Sequence, residues 1–321
     1  MLSKEPFAAA SINGGIMPDA LPRTAGVALI PCYNEGRNPV ELCTALRTVP
    51  NLRAVFIDDA STGDSAAALD SLERFAPQIR VERNSERAGK VASLLRAMRE
   101  LDGAVERVLL IDCDVVVSPE TLANVLNELE RTDLVLANAV AMSRPRTLWE
   151  RGAIFSARRH ERLRAQAIAR YPALCSNGRL IGMSRRLVDA VLRSNVPRHT
   201  EDAHFMLVCI ANGFSHAYLP GARLEYRTPD TLGDYLRQSN RFSEGRALLR
   251  ERWPHEMLER WYDPRPLDLA RTFAQQALFD PIGAVTFLAM LAAKAVQSPK
   301  SRTQQGAWAV AGSTKSLEEL R

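Results

Sequence analysis

Short apolar runs bounded by polar turns mark the first part of the chain. Four runs are aliphatic or aromatic and a fifth segment alternates apolar with polar residues; they are 27–30, 54–57, 108–111, 134–137 and 79–82. Runs of this length and composition are typical of buried strands. The pattern therefore predicts a strand at each of the five places.

Helical periodicity fills the intervals between these strands. Residues 39–49, 65–75 and 89–101 carry apolar side chains at helical spacing, and Ser118 is placed to cap a helix that continues to Leu129. Strands that alternate with helices are typical of a mostly parallel sheet flanked by helices on both faces. We therefore expect an α/β fold.

The alternation weakens after Ala141. Residues 147–170 and 202–212 have helical patterns, and a third helix, rich in arginine, is expected after Pro229. Segment 175–184 contains two glycines and is expected to be a loop.

Composition suggests three parts. Residues 1–25 are rich in Gly, Pro, Ala and Ser and are expected to be a loose leader without a secretory signal. Residues 26–230 would form the α/β domain, and residues 231–321 a helical C-terminal extension. No run reaches the roughly 20 apolar residues that span a bilayer. The nearest, 281–296, is expected to be a buried helix or one that lies in the membrane interface.

Charge is distributed unevenly over the 321 residues. Lys and Arg number 42 and Asp and Glu 37, which gives a net charge of +5. Arginines recur between Arg223 and Arg271, whereas acidic residues dominate the candidate motifs between Asp58 and Asp114. This mixture favours an acidic metal pocket and a basic docking face. The five cysteines match no zinc pattern and suggest reduced thiols in the cytosol.

The first candidate for chemistry is the sequence DCD at 112–114, directly after an apolar strand. Two carboxylates at a strand end can offer oxygen ligands to Mg²⁺ or Mn²⁺, which usually keep positions for water and phosphate. A solvated acidic loop is the alternative. The strand favours the metal, because ligands bind beyond the carboxyl ends of strands in α/β sheets.

Four further motifs combine polar residues with strand or helix ends. They are PCYNE at 31–35, FIDDAST at 56–62, HTEDAHF at 199–205 and QSNRF at 238–242. Each also has a plain structural interpretation as a turn, a helix cap or a solvated helix. An acid of the third motif could act as a general base, and the Arg of the fourth could bind phosphate.

Taken in chain order, and with NSERAGK at 84–90 included, the motifs are PCYNE, DDAST, NSERAGK, DCD, TED and QxxRF. This series resembles the signature motifs of family 2 glycosyltransferases. The resemblance covers about Val27 to Gly245. It implies the GT-A fold, a Rossmann-like sheet flanked by helices, and an enzyme that inverts the anomeric centre. Phe242 stands where the family usually has Trp, which weakens any expectation of processive synthesis.

The resemblance also implies a role for each motif. Asp202 would be the general base, and Asp114 with Asp112 would ligate Mg²⁺ or Mn²⁺. Gly178 and Glu201 would lie on the acceptor side, and Gly182 would approach the acceptor too. The residues implied to contact the nucleotide sugar are Pro31, Tyr33, Glu35, Asp58, Asp59, Lys90, Asp112, Gln238 and Arg241.

The C-terminal part predicts attachment to a membrane surface. Arg246, Arg250 and Arg252 precede Trp253, and the apolar segment 281–296 follows. Basic residues, interfacial aromatics and a short apolar helix are the components of peripheral membrane binding. We therefore expect a cytoplasmic protein on the inner face of the cell membrane, with a nucleotide-diphosphate sugar, favoured to be UDP-linked, as donor and a lipid-linked or membrane-proximal glycan as acceptor.

Two alternatives remain open. A sugar-phosphate nucleotidyltransferase would normally carry a glycine-rich loop where PCYNE stands. A non-catalytic sugar-nucleotide-binding protein would need neither Asp114 nor Asp202. Nucleic acid is not expected as a partner, because the arginine-rich stretch lacks a stacking-aromatic module.

Overall fold

Eight strands form one sheet within residues 26–296, the part of the chain that the computed structural model describes. In chain order they are β1 (Gly26–Cys32), β2 (Leu52–Asp58), β3 (Ile79–Arg83), β4 (Arg107–Ile111), β5 (Val115–Val117), β6 (Leu134–Ala141), β7 (Leu180–Ser184) and β8 (His216–Tyr226). Their order across the sheet is β3-β2-β1-β4-β7-β6-β8-β5. All five predicted strands are confirmed.

The sheet is parallel on one side and mixed on the other. Strands β3, β2, β1 and β4 run parallel, so their carboxyl ends meet at one edge. Strand β7 is antiparallel to both β4 and β6, β6 and β8 are parallel, and β5 is antiparallel to β8. The parallel edge gathers the polar residues that follow β1, β2 and β4.

Helices cover both faces of the sheet, as predicted. The first eight are α1 (Asn38–Leu46), α2 (Gly63–Leu72), α3 (Lys90–Glu100), α4 (Pro119–Glu128), α5 (Leu148–Ala167), α6 (Pro172–Cys175), α7 (Arg185–Arg193) and α8 (Glu201–Ala211). Apolar residues of α1, α2 and α4 fill the core on one face, and those of α3, α7 and α8 fill the other. Ser118 caps α4, since its Oγ accepts a hydrogen bond from the Thr121 amide at 3.2 Å.

The expected loop at 175–184 is wrong in its second half. Residues Leu180–Ser184 form β7, a strand in the middle of the sheet. A methyl group at Gly182 would lie only 2.7 Å from Val125 of α4, so this glycine allows a helix to pack closely on the sheet. The prediction that Gly182 approaches the acceptor is therefore corrected: it is a core position.

Four helices follow β8. They are α9 (Leu232–Arg252), α10 (His255–Trp261), α11 (Pro266–Phe279) and α12 (Pro281–Val296). Helix α12 packs on α5, where a methyl group at Gly152 would lie 2.6 Å from the sulfur of Met290, and Phe155 contacts Phe287 with ring centroids 5.6 Å apart. No helix in residues 26–296 combines the length and apolarity needed to cross a bilayer. The expected leader at 1–25 and the end of the extension at 297–321 lie outside the described residues.

Candidate active site

The PCYNE turn after β1 is tied to the turn after β2. The Asn34 amide donates to Ser61 Oγ at 3.1 Å, and the Thr62 amide donates to Asn34 Oδ1 at 3.0 Å. Asn34 has a positive φ of 51°, a conformation that asparagine tolerates better than most residues. These bonds hold two of the predicted nucleotide-binding motifs side by side.

Tyr33 and Glu35 flank this turn. The Arg87 guanidinium lies 3.8 Å from the centre of the Tyr33 ring, which places a cation over an aromatic face. Glu35 is buried. Arg87 belongs to the NSERAGK segment, and its role could not be read from sequence because stacking on Tyr33 depends on two turns that are distant in the chain.

Asp59 is fully engaged within the protein. Its carboxylate accepts hydrogen bonds from Asn84 Nδ2, the Ala88 amide and the Gly89 amide, each at 2.8 Å, and from Ser93 Oγ at 3.1 Å. Four donors saturate most of the acceptor capacity of one carboxylate. Asp59 therefore fixes the 84–89 loop and the start of α3.

Asp58 is also buried and bonded. Its Oδ1 accepts from the Ser61 amide at 2.8 Å, and its Oδ2 accepts from Arg83 Nε at 2.6 Å. Arg83 in turn donates to the exposed Asp70 at 2.8 Å. Asp58 thereby orders both its own turn and the end of β3.

An ion-paired lysine lies at the centre of the site. Lys90 Nζ is 2.6 Å from Asp112 Oδ1 and 2.8 Å from Glu201 Oε1. Lys90 begins α3, Asp112 follows β4 and Glu201 begins α8, so three elements contribute to one charge cluster. The two carboxylates outweigh the cost of burial and raise the pKa of Lys90, which stays charged. Pro31 and Gly178 line the same cleft.

The adjacent acids Glu201 and Asp202 differ in their surroundings. Burial would raise the pKa of Glu201, but the charge of Lys90 lowers it below its ordinary value. Burial raises the pKa of Asp202 to about 6, and the negative charge of Glu201 adds to the shift. Asp202 Oδ1 accepts a hydrogen bond from the Ala203 amide at 2.8 Å. Glu201 is thus bound to a cation, whereas Asp202 is the stronger proton acceptor.

Helix α9 brings a second cation to the cluster. Arg241 is half-buried, and burial lowers its pKa while the charges of Glu201, Asp112 and Asp114 oppose that shift. Gln238 is half-buried three residues earlier on the same helix. The predicted phosphate-binding arginine therefore faces the carboxylates of the DCD motif.

The close approach of α9 depends on a strained residue and a glycine. Thr200, which precedes Glu201, has φ 60° and ψ 36°, the left-handed region that β-branched residues rarely adopt. A methyl group at Gly245 would overlap Thr200 Oγ1 and lie 3.1 Å from Thr200 Cβ. Neither residue stands out in the sequence, because their meaning comes from contact between α8 and α9.

Asp112 and Asp114 suit a metal ion whose remaining ligands come from water and from a bound substrate. No group of three or more His, Cys, Asp or Glu side chains able to hold a metal occurs among the described residues. Asp112 is already paired with Lys90, and Asp114 is half-buried near Arg241. Mg²⁺ typically uses one or two carboxylates and completes its shell with water and substrate phosphates. Asp114 with Asp112 fits that mode.

Histidines beside the acids differ in role. His204 Nδ1 accepts from Trp253 Nε1 at 3.0 Å, and His204 Nε2 lies 2.9 Å from Ser194 Oγ, so its ring links α8 to neighbouring elements. His199 Nε2 lies 3.6 Å from Glu244 Oε2 of α9. Neither contact involves the carboxylates of the DCD motif.

The structure gathers most of the sequence-predicted site residues. One cleft is lined by Pro31, Lys90, Asp112, Gly178 and Glu201. The charges of Asp114, Asp202 and Arg241 act on that cluster. Asp58 and Asp59 instead bind the turns that surround it.

Known proteins with similar sequences support the motif assignment. The model for glycosyl transferase family 2 matches residues 27–192. An N-acetylglucosaminyltransferase of Azorhizobium caulinodans is 28% identical over 254 residues, which cover 71% of this chain and 62% of the relative. Another from Rhizobium sp. is 26% identical over 238 residues, which cover 67% of this chain and 51% of the relative. The chain thus spans between half and two thirds of the length of these curated relatives.

A solved structure shares the fold. The mannosyltransferase PcManGT from Pyrobaculum calidifontis, in complex with GDP-Man and Mn²⁺, aligns with a TM-score of 0.55 and 20% sequence identity. The alignment covers 89% of this chain and 79% of that chain. The expected GT-A architecture, with a helical C-terminal part, is confirmed.

Proposed function

Because the chain belongs to glycosyl transferase family 2, we propose that it transfers a sugar from a nucleotide diphosphate to an acceptor hydroxyl and inverts the anomeric centre. The names of the relatives make UDP-N-acetylglucosamine the first donor to test. Residues 26–230 would form the catalytic unit and the helices after residue 231 would face the acceptor and the membrane.

The contrast between Glu201 and Asp202 carries this proposal. An inverting transfer needs one carboxylate that can take a proton from the acceptor. The Glu201 carboxylate is held by Lys90 at 2.8 Å, whereas the pKa of Asp202 is raised to about 6 by burial and by Glu201. A base with a pKa near the working pH both binds the proton and stays ionised. Asp202 therefore fits the base, and Glu201 fits a positioning role on the acceptor side.

The reaction would be a single displacement. Asp202 takes the proton of the acceptor hydroxyl while the acceptor oxygen forms a bond to the anomeric carbon. The bond from that carbon to the diphosphate oxygen breaks on the opposite face, and the electron pair leaves with the nucleoside diphosphate. Lys90 and Arg241, the two cations beside Asp112, would stabilise this growing negative charge. Gln238, on the same helix, would bind beside them.

Asp114 with Asp112 would hold Mg²⁺ or Mn²⁺ together with the donor diphosphate. The cation would supply a positive charge that neutralises the leaving phosphates. Pro31, Tyr33 and Glu35 would line the nucleotide side. Because Asp58 directs its carboxylate to Ser61 and Arg83, and Asp59 directs its own to the 84–89 loop, we assign both to the wall of this pocket.

A donor screen tests the proposal. Nucleotide release would be measured with UDP-N-acetylglucosamine, other UDP-sugars and GDP-mannose, with Mg²⁺ or Mn²⁺ added or removed by EDTA. We expect metal-dependent release of UDP from one UDP-sugar. Release of pyrophosphate from a nucleoside triphosphate and a sugar phosphate would identify a nucleotidyltransferase instead. Donor binding without turnover in the presence of varied acceptors would favour a non-catalytic binding protein.

We also propose that the acceptor is lipid-linked or membrane-proximal, and that the protein lies on the inner face of the cell membrane. The outward face of α12 is apolar over its whole length, and the end of α11 continues it. Its exposed large side chains are Leu278, Phe279, Ile282, Val285, Leu288, Leu291 and Val296. An apolar stripe of this kind can lie in the lipid interface without spanning the bilayer.

Vesicle co-sedimentation tests this orientation. The double variant Val285→Ser, Leu288→Ser removes two residues that are 69% and 51% exposed, so its fold should be kept. We expect it to sediment less with phospholipid vesicles than the unchanged protein. Leu267→Ser, at the other end of α11 and 77% exposed, is the matched control and should sediment normally. Equal sedimentation of all three proteins would contradict the proposal.

A further inference from the structure

A groove between the C-terminal helices and α5 contains two arginines that pair with no carboxylate in residues 26–296. It is lined by residues of α5, α9, α10 and the start of α11, with a volume of about 440 Å³. Its charged and titratable side chains are Arg159, His160, Arg246, Arg250, His255, Glu259 and Asp263. Leucines and a proline complete the lining, so the groove is both cationic and apolar.

The acids of the groove are used locally. Arg250 pairs with Asp263 at 3.2 Å, and Glu259 lies 3.5 Å from His255. Arg159 and Arg246 have no carboxylate within salt-bridge distance among the described residues. Arg159 instead lies over the Phe287 ring at 5.4 Å and Arg246 over the Tyr262 ring at 5.7 Å, so each meets an aromatic face but no carboxylate.

Arg159 has the larger free-energy cost of burial of the two arginines. It is half-buried, its Nε is shielded from solvent, and that atom meets no acceptor within the described chain. Its Nη2 lies 3.4 Å from His160 Nε2, a neutral partner when the ring is uncharged. Withdrawing an arginine from water without an acceptor costs free energy, and an anionic ligand would recover it.

Lys294 adds a third positive charge close to the two arginines. Lys294 of α12 donates to Ser239 O at 3.1 Å, Ser239 Oγ at 2.6 Å and Ser243 Oγ at 2.8 Å, all neutral oxygens. The charge of Arg246 acts on Lys294, since burial and then Arg246 lower the pKa of this lysine. The junction of α5, α9 and α12 therefore brings together Arg159, Arg246 and Lys294, none of which forms a salt bridge within the part of the chain that the structure describes.

Tyr262 connects the groove to the surroundings of the proposed base. The Arg246 guanidinium lies 5.7 Å from the centre of the Tyr262 ring, and the charges of Arg246 and Asp202 both act on the Tyr262 hydroxyl, whose pKa is raised by burial. Arg241, five residues earlier on α9, instead faces Asp112 and Asp114. The acceptor must reach Asp202, so a cationic groove at that side suits part of the acceptor.

We propose that Arg159 and Arg246 form a site for a phosphate or diphosphate group of the acceptor, with the apolar lining of the groove receiving the adjoining hydrocarbon. Guanidinium groups bind phosphate oxygens in pairs of charge-assisted hydrogen bonds. The inference rests on the proposed function and makes it more specific: the acceptor is a phosphorylated lipid rather than a neutral glycan.

Pyrophosphate binding tests the site directly. Isothermal titration calorimetry would use inorganic pyrophosphate as the probe, without divalent metal and with UDP present to fill the donor site. We expect wild type to bind, and Arg159→Gln, Arg246→Gln to weaken binding roughly tenfold or more, because charge-assisted hydrogen bonds are lost. Arg158→Gln, next in sequence but outside the groove lining, is the matched control. No binding by wild type, or equal loss in the control, would overturn the proposal.

Two further measurements keep the test decisive. Arg246→Gln alone changes an exposed residue and should fold normally, so it must still weaken binding if the double variant unfolds. Vesicles of phosphatidylglycerol and phosphatidylcholine separate the two sources of phosphate. If the double variant loses its preference for anionic vesicles but binds pyrophosphate normally, the groove binds a phospholipid headgroup and the acceptor assignment fails.

UDP affinity reports on the donor site independently of the groove. UDP affinity should be the same in wild type and in the double variant, because neither arginine faces Asp112 or Asp114. If wild type binds no UDP, the proposed transferase function fails, while the difference in pyrophosphate affinity between the proteins still reports on the groove.

Discussion

The parallel half of the sheet and the C-terminal helices differ in how their charged side chains are paired and in how much apolar surface they expose. After β2, buried Asp58 and Asp59 are bonded to neighbouring turns, and few large apolar side chains are exposed nearby. In α9 to α12, Arg246 lacks an acidic partner among the described residues and apolar side chains such as Val285 face outward. The two aspartates of the first region are satisfied by neighbouring turns, whereas the second region exposes a cation and apolar side chains that an external partner could cover.

The charge cluster joins these two regions. Lys90 and Asp112 come from the parallel half, and Arg241 comes from α9. Glu201 and Asp202 lie between them at the start of α8. Substitutions of the buried aspartates after β2 should therefore act mainly on stability, and substitutions in the charge cluster should act mainly on turnover. The following variants test that division, from the largest expected effect to the smallest.

Asp202→Asn should reduce kcat by about 10²–10⁴-fold, the usual contribution of a general base, while donor affinity is kept. The amide has the same shape but cannot take the proton. Steady-state kinetics would be measured beside Glu201→Gln, which keeps Asp202 and should retain more turnover. Normal turnover in Asp202→Asn, or loss confined to Glu201→Gln, would show that the base is wrongly assigned.

Asp59→Ala should lower the free energy of unfolding by about 2–4 kcal/mol, because Asn84, Ala88 and Gly89 lose their acceptor at a buried place. Urea unfolding followed by circular dichroism measures this. Asp70→Ala removes a carboxylate that is mostly exposed, and should change stability by no more than about 0.5 kcal/mol. Equal effects would mean that Asp59 is not a structural anchor.

Gly245→Ala should destabilise the protein by about 1–3 kcal/mol and lower turnover, because the new methyl overlaps Thr200 and pushes α9 from the start of α8. Gly233→Ala in the same helix is the control, since only Arg237 lies within 4 Å, at 3.7 Å. Gaining a methyl there should stabilise the helix by up to about 1 kcal/mol. Thermal melts and initial rates would reveal the contrast; similar values for both variants would refute it.

The pH dependence of kcat/KM should show an acid limb near pH 6. Asp202 acts as base only when ionised, and its pKa is raised to about 6, so the rate falls as pH drops through that value and levels off above it. The fall should approach about tenfold per pH unit on the acid side. The residual activity of Asp202→Asn should lack this limb. A limb that persists in the variant would belong to another group.

Much of the architecture follows from short-range pattern. The runs at 27–30, 54–57 and 108–111 are typical of buried strands, because short aliphatic runs bounded by polar turns fit a sheet that is covered on both faces. Strand β7 was missed since its glycine resembles a loop signal, and its role depends on α4 packing against Gly182. Strand β8 was missed too, because Pro220 and Gly221 interrupt its sequence and its partners β5 and β6 lie much earlier in the chain.

The sequence alone determined the order of the motifs, the α/β alternation and the identity of the acids and cations at strand and helix ends. It did so because alternation and residue chemistry are local properties. Tertiary structure alone decided how similar residues divide their roles. Asp59 stabilises a loop while Asp112 pairs with Lys90, and Glu201 binds that lysine while Asp202 is left as the stronger base. Burial and the distance to the next charge set those roles, and both arise only when β2, β4, α3 and α8 meet.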